Sequence, residues 1–379
     1  MESSQRSSFD RNVPARMPQS PGVNTGRLRR PRVGAEARSS LFTRLLSTGP
    51  KDALRPGYYS IPSYWICEGR RLPFGMFRKT PSGEVIRLSE PNRIYQAMDR
   101  LPLDADGPAV VLLKKESRLD LLHYLDRNLD EIVANSLMSV PEKAEIFYYM
   151  GYRRMRAAYR NPNRITLGGV KGLIALMVEQ ILTGRETVKE IFALVQDNVC
   201  RTTEHPECAI LHSLNVGILA TFFVMKVLPN LARDTLEEVA LGYFLHNVGM
   251  MRLPKEVVDY CGELGDATWT LVRQHPVWGL EMVRGIEEPS REVAHIIMDH
   301  HEKLNGKGYP RSLTGVDIHF FVKVGSLVDS FGAMISERSY RQALQVVDAL
   351  KSIKQRVPHE YDPSIFSKLI LVFLENELI

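Results

Sequence analysis

Asp299-His-His-Glu-Lys-Leu-Asn-Gly-Lys-Gly-Tyr-Pro310 closes an apolar helical run and sets two adjacent histidines directly before a glycine turn. Neighbouring helical positions point about 100° apart, so at most one of His300 and His301 can face a core. Both can reach one polar pocket if the helix ends there, and the pair is read as two ligands on that pocket. Gly306 and Gly308 supply the backbone freedom of a tight turn, Pro310 fixes the exit of the chain, and Tyr309 is expected to stand displayed on the loop. The same residues also suit a surface helix end with a glycine loop. The histidines upstream decide between the two readings.

Nine of the ten histidines lie between residues 205 and 359. Five of them, His212, His246, His275, His300 and His301, set a rhythm that Asp329 continues, with gaps of 34, 29, 25 and 29 residues from 212 to 246, 275, 300 and 329. About 30 residues is one helix out and one back, so this spacing returns the chain to one layer of a helical bundle, where a single polar pocket can collect all six groups. Imidazoles with a carboxylate suit a borderline transition metal such as Fe, Mn or Zn and not a hard all-oxygen cation such as calcium. A lone histidine is more often a satisfied core or surface residue than a ligand; six groups in rhythm reverse that. His295 and His319 fall off the rhythm, and His123, His205 and His359 show no partner pattern, so these five are read as structural or exposed.

The motifs are His212-Ser-Leu-Asn-Val216, Leu245-His246-Asn247-Val248-Gly249, Gln274-His275-Pro276, His300-His301-Glu302 with Gly306-Lys-Gly-Tyr309-Pro310, and Asp329 followed by Glu337-Arg338-Ser-Tyr340-Arg341. On these residues the segment 200–379 resembles the HD-GYP family, bacterial members of the HD phosphohydrolase superfamily that hydrolyse cyclic di-GMP at a site of two or three metals. The resemblance implies that His212, His246, His275, His300, His301 and Asp329 are metal ligands, for one or two Fe or Mn ions per chain. It further implies that Tyr309 meets the guanine-bearing ligand beside Gly306 and Gly308, and that Arg338 and Arg341 grip its phosphates, a task suited to guanidinium groups.

Two catalytic positions depart from the family pattern. The histidine of the HD pair is followed here by Asn247, so the carboxylate that would bridge two ions is an amide, which offers a carbonyl oxygen but no charge. The lysine expected four residues after that histidine is Met250, which cannot stabilise charge on a phosphate. The second metal is therefore expected to bind weakly, while ligand binding survives through Tyr309, Arg338 and Arg341. The leading reading is a cyclic di-GMP phosphodiesterase of weakened activity; the alternative is a receptor or protein-interaction module that binds the dinucleotide without turnover. Cys208, one helical turn before His212 where three-metal members carry a glutamate, is read as a buried inert thiol.

Outward from this segment, the fold class is mostly α: a C-terminal helical bundle of HD-domain type, preceded by a small α+β domain and a disordered basic tail. Residues 1–52 are rich in Ser, Arg, Pro and Gly without periodicity and form the tail. Residues 55–136 read as the α+β regulatory domain, with strand-like clusters at Tyr58–Ile66, Phe74–Phe77, Val85–Leu88 and Ala109–Leu113 and a hairpin turn at Thr80-Pro81-Ser82-Gly83. Ser117 with Asp120 reads as a capped start of one helix carrying Leu122, Leu125, Leu129, Ile132 and Val133. Residues 139–199 read as a helical connector: Ser139 and Glu142 open one helix that stops at Asn161-Pro162, and a second runs from about Val170 to Leu182. Residues 200–379 form the metal-binding helical domain.

The composition, 44% hydrophobic and 25% charged, is that of ordinary globular protein. The net charge of +5 is unevenly spread, since residues 1–51 hold ten Lys or Arg against three Asp or Glu. That basic stretch lacks aromatic interleaving or zinc spacing, so nucleic acid is not an expected partner. No run of 18 or more apolar residues and no hydrophobic N-terminal signal is seen, which points to a cytoplasmic protein without a membrane span. Cys67, Cys200, Cys208 and Cys261 form no CxxC pair and are expected as isolated thiols. Partners beyond the dinucleotide would be signalling proteins, met through the α+β domain or the glycine loop, and a second copy in a homodimer.

Overall fold

The computed structural model describes residues 57–80, 82–96, 110–197, 205–258, 265–336 and 343–379. The basic tail, Pro81 of the hairpin, and Glu337 to Arg341 lie outside the described residues. Strands β1 (Tyr58–Pro62), β2 (Met76–Lys79), β3 (Val85–Ser89) and β4 (Val110–Lys114) form an antiparallel sheet in the order β1-β4-β2-β3. The expected hairpin joins β2 to β3, closed by Thr80 N donating to Glu84 O at 2.8 Å with Gly83 at φ +91°. Ile61, Met76, Val111 and Leu113 of the sheet, with Phe74 just before β2, are buried with Leu121, Leu122 and Leu125 of α1 (Arg118–Arg127).

Two local expectations change. Ser117 makes no side-chain cap, and the single helix is broken at Asn128 into α1 and α2 (Leu129–Ala134). The Asn128 amide donates to Tyr124 O at 2.8 Å, satisfying a carbonyl that the ended helix leaves open. The five apolar residues predicted for that face are all buried.

Helix α3 (Val140–Arg160) starts as the sequence indicates: Glu142 Oε2 accepts from Ser139 N at 2.9 Å and Ser139 Oγ at 2.6 Å. The other oxygen of Glu142 accepts from Tyr64 OH at 2.5 Å, tying the helix start to the sheet domain. α4 (Arg164–Leu176) begins earlier than Val170 because Asn163 Oδ1 caps it, accepting from Ile165 N and Thr166 N, and it ends in a π turn at Met177–Ile181. α5 (Arg185–Asp197) follows.

The remaining helices are α6 (His205–Val227), α7 (Arg233–Leu245), α8 (Lys255–Val258), α9 (Asp266–Val272), α10 (His275–Arg284), α11 (Arg291–Asp299), α12 (Phe320–Ile335), α13 (Val346–Lys354) and α14 (Pro363–Glu375). α6 is long and apolar enough to cross a membrane, because its window tolerates His212, Ser213 and Asn215, but 83% of that window is buried inside the protein. It is the central core helix, wrapped by α7, α12 and α14. The helices between residues 140 and 197 pack on the bundle. Tyr148 OH of α3 donates to Asn215 Oδ1 of α6 at 2.5 Å, Tyr159 OH donates to Phe244 O of α7 at 2.9 Å, and Glu207 of α6 gathers Tyr152, Arg156 and Arg160. One hydrophobic core runs from Ile61 to Leu378.

Candidate metal centre

Helix ends aim three of the six predicted ligands. His246 follows the end of α7, His275 follows α9, and His300 follows α11. Each donates from Nδ1 to the carbonyl three residues back: Tyr243 O at 2.7 Å, Val272 O at 2.7 Å and Ile297 O at 2.9 Å. Those carbonyls are ones a helix terminus leaves without an intrahelical partner. A carbonyl only accepts, so Nδ1 carries the proton in all three rings and Nε2 presents its lone pair to the pocket, the arrangement that supports a metal-ligating histidine.

The structure collects all six predicted ligands into two triads. His275, His300 and His301 form one and His212, His246 and Asp329 the other, with the ligand atoms of each triad within 4.8 Å of one another. His275 Nε2 and His300 Nε2 stand 3.1 Å apart. With Nδ1 protonated on both rings, two lone pairs face each other, and neither ring has a proton to offer. A shared cation satisfies both, and the donor set fits a divalent transition metal. Burial holds His275 down at about 4 and, with the neighbouring imidazoles, pushes His300 well below the ordinary histidine range, so both rings are neutral near pH 7. His301 is the most open of the six, with 23% of its side chain exposed, and burial depresses it also.

Asp329 lies between the triads. Its Oδ1 is 2.8 Å from His212 Nε2 and 3.6 Å from His246 Nε2, while its Oδ2 is 3.9 Å from His301 Nδ1. Burial pushes its carboxyl upward, but the hydrogen bond from His212 and the imidazoles around it outweigh that and hold it well below the usual carboxylate range. A single carboxylate therefore serves both triads. Asn247 is buried beside them with its Nδ2 2.7 Å from His246 Nε2, and since that ring nitrogen can only accept, the amide donates to it. Met250 is half-buried in the 3-10 turn Val248–Arg252.

These shifts set the acid response of metal-stripped protein. The unfolded chain binds protons on these imidazoles near 6.5 while the folded one does not, so stability is flat above that pH and falls as pH drops from about 6.5 toward 4. Denaturant midpoints between pH 8 and 4.5 measure this. A midpoint unchanged down to pH 4.5 contradicts the buried neutral imidazoles.

The glycine loop is held closed and not displayed. Tyr309 is half-buried, stacked on His301 at 4.6 Å between ring centres and set edge-on to His275 at 6.4 Å, because its backbone N–H returns to His301 O. Gly306 sits at φ +72°, as a tight turn requires. Gly308 has a different reason: a Cβ there would stand 2.4 Å from Glu302 Cα, so the loop packs backbone to backbone.

Three residues that the spacing argument passed over fix this loop. Glu302 is buried and accepts from Arg311 N at 2.6 Å and Leu313 N at 2.9 Å. Buried Asp299 binds Arg311 through both oxygens at 2.9 and 2.7 Å and His295 Nδ1 at 3.1 Å. Acidic residues flanking two ligands at a buried helix end were the available signal. Of the histidines outside the rhythm, His295 and His319 stack on each other at 5.9 Å, and His123 and His359 are exposed. Arg338 and Arg341 lie outside the described residues. Cys208 is disulfide-bonded, which corrects the expectation of an isolated, inert thiol at this position.

Known proteins share this architecture. The HD domain family matches residues 193–365. The cyclic di-GMP phosphodiesterase PA4108 of Pseudomonas aeruginosa is 27% identical over 173 residues, 46% of this chain and 41% of that protein. The 3'3'-cGAMP-specific phosphodiesterase 3 of Vibrio cholerae is 30% identical over 159 residues, 42% of this chain and 34% of that protein. This chain thus spans well under half the length of the curated relatives it matches. The solved structure of Bd1817, an HDG"Y"P protein from Bdellovibrio bacteriovorus, covers 82% of this chain and 98% of its own at a TM-score of 0.56 and 16% identity, which shows a common fold. Residues 193–365, which hold both triads, thus carry an HD domain, and the chain as a whole resembles the HD-GYP family.

Proposed function

We propose that this chain binds cyclic di-GMP at the paired triads and hydrolyses it slowly, as a phosphodiesterase of bacterial second-messenger signalling with a weakened metal site. The observation that carries the reading is the pair of imidazole lone pairs facing each other at 3.1 Å beside a carboxylate shared with the second triad. His212, His246 and Asp329 are the minimum ligand set for one ion, His275, His300 and His301 hold a second, and Fe or Mn is the proposed metal. A divalent ion, when bound, supplies Lewis-acid stabilisation of the charge that develops on a phosphoryl oxygen. Tyr309 closes the pocket against the guanine-bearing ligand beside Gly306 and Gly308, and Arg338 and Arg341 hold the phosphates. The sheet domain, joined to the bundle through α3, is the proposed regulatory input and docking place for signalling partners.

A second reading, a receptor without turnover, is favoured by the Asn247 contact, since the amide already occupies the lone pair of His246 that a metal needs. Elemental analysis of protein purified anaerobically and supplemented with Mn or Fe is expected to give nearer one ion than two per chain, and absence of metal sinks the site assignment. Calorimetry is expected to detect cyclic di-GMP binding, weakened by roughly 1.5 to 3 kcal/mol in Arg338→Ala, the scale of a hydrogen bond to a charged group. If metal-loaded protein binds no dinucleotide, both readings fail together.

A further inference from the structure

We propose that Arg273 is a phosphate-binding residue of this site, supplying the cation that the Met250 position lacks; the proposal rests on the reading of the pocket as a dinucleotide site. Arg273 lies at the junction of α9 and α10, two residues before His275. Its guanidinium stands 5.6 Å over the Tyr309 ring, which in turn stacks on His301, so the charge is at the mouth of the triad His275, His300 and His301. The side chain is exposed and pairs with no described carboxylate. Its planar fork, seated on an aromatic face, is pre-organised for a phosphate.

The turn that carries Met250 abuts the same segment. A Cβ on Gly249 would come within 2.0 Å of His275 O and 2.5 Å of Gly279 N, so the backbone beside Met250 packs directly against the start of α10. The turn that carries Met250 and the segment that carries Arg273 thus meet across one close backbone contact.

The test is calorimetry of cyclic di-GMP on Mn-loaded full-length protein. Arg273→Gln keeps a planar group over Tyr309 and removes the charge, and it is expected to weaken binding by roughly tenfold or more, the scale of one charge-assisted contact. Metal content and melting temperature should stay at the wild-type values, and Met250→Lys in the Arg273→Gln background should recover most of the affinity. Wild-type affinity in Arg273→Gln overturns the proposal while leaving the dinucleotide reading intact. Loss of metal or of thermal stability in that variant assigns Arg273 to packing of the loop and overturns it as well, and failure of Met250→Lys to rescue overturns the replacement. No binding by the wild type is the separate failure of the dinucleotide reading itself.

Discussion

Asn247→Asp is expected to raise metal occupancy from about one ion toward two per chain and to speed hydrolysis by roughly a hundredfold, the range that single electrostatic groups contribute to such transition states. Two divalent ions roughly 3.5 to 4 Å apart repel one another by on the order of 15 kcal/mol at an effective dielectric near 20. The described pocket holds one carboxylate against that repulsion, Asp329, whose oxygens already serve both triads. An aspartate at 247 adds the missing charge. It also removes a competitor, because the Asn247 amide donates to His246 Nε2 at 2.7 Å and an ionised carboxylate cannot. Facing that lone pair, the carboxylate leaves the ring nitrogen open to a cation. Adding Met250→Lys should raise the rate further through the phosphate. Metal analysis and product chromatography on the three proteins measure this, and a fast wild type unchanged or slowed by Asn247→Asp would mean that the amide is an adequate ligand. If the double variant binds two ions and still does not turn over, the defect lies in substrate access or loop position.

The clustering of these side chains was legible because its signal is periodic. Residues about 30 apart return to one layer of a bundle, and His212, His246, His275, His300 and Asp329 do so in the structure. What the spacing hid was how the rings are aimed, since that depends on where helices end. His246, His275 and His300 each bond to a carbonyl three residues back at a terminus, and a terminus is placed by caps that sequence locates only to within a few residues. The capping box at Ser139 was readable because both partners are local. Asn163, just past the Asn161-Pro162 stop, was given no role in the sequence reading and is the cap of the next helix. Tyr309 was expected on display because glycine-rich loops are usually exposed; the residues that pull it inward, Glu302 and Arg311, act across a distance the loop's own composition does not encode.

Arg311→Ala is expected to destabilise the protein by about 3 kcal/mol, the lower end of the cost of stranding one partner of a buried ion pair. Asp299 has only 2% of its side chain exposed, and Arg311 binds both of its oxygens; the guanidinium itself is 46% exposed, which is why the lower end applies. Without Arg311 the carboxylate keeps one charged or polar side-chain contact among the described residues, His295 at 3.1 Å, and that ring is partly exposed. The loss is specific to charge, so Asp299→Asn in the Arg311→Ala background should recover part of the stability although it removes a second native group. Urea denaturation with an unchanged m-value measures both effects. The functional consequence follows from connectivity: Arg311 follows Pro310 and its backbone N–H is bound by Glu302, so loosening it frees Tyr309 from His301 and weakens ligand binding more than metal binding. Stability within about 0.5 kcal/mol of wild type, the range of an ordinary surface substitution, would mean that water replaces the guanidinium and that Glu302 alone holds the loop.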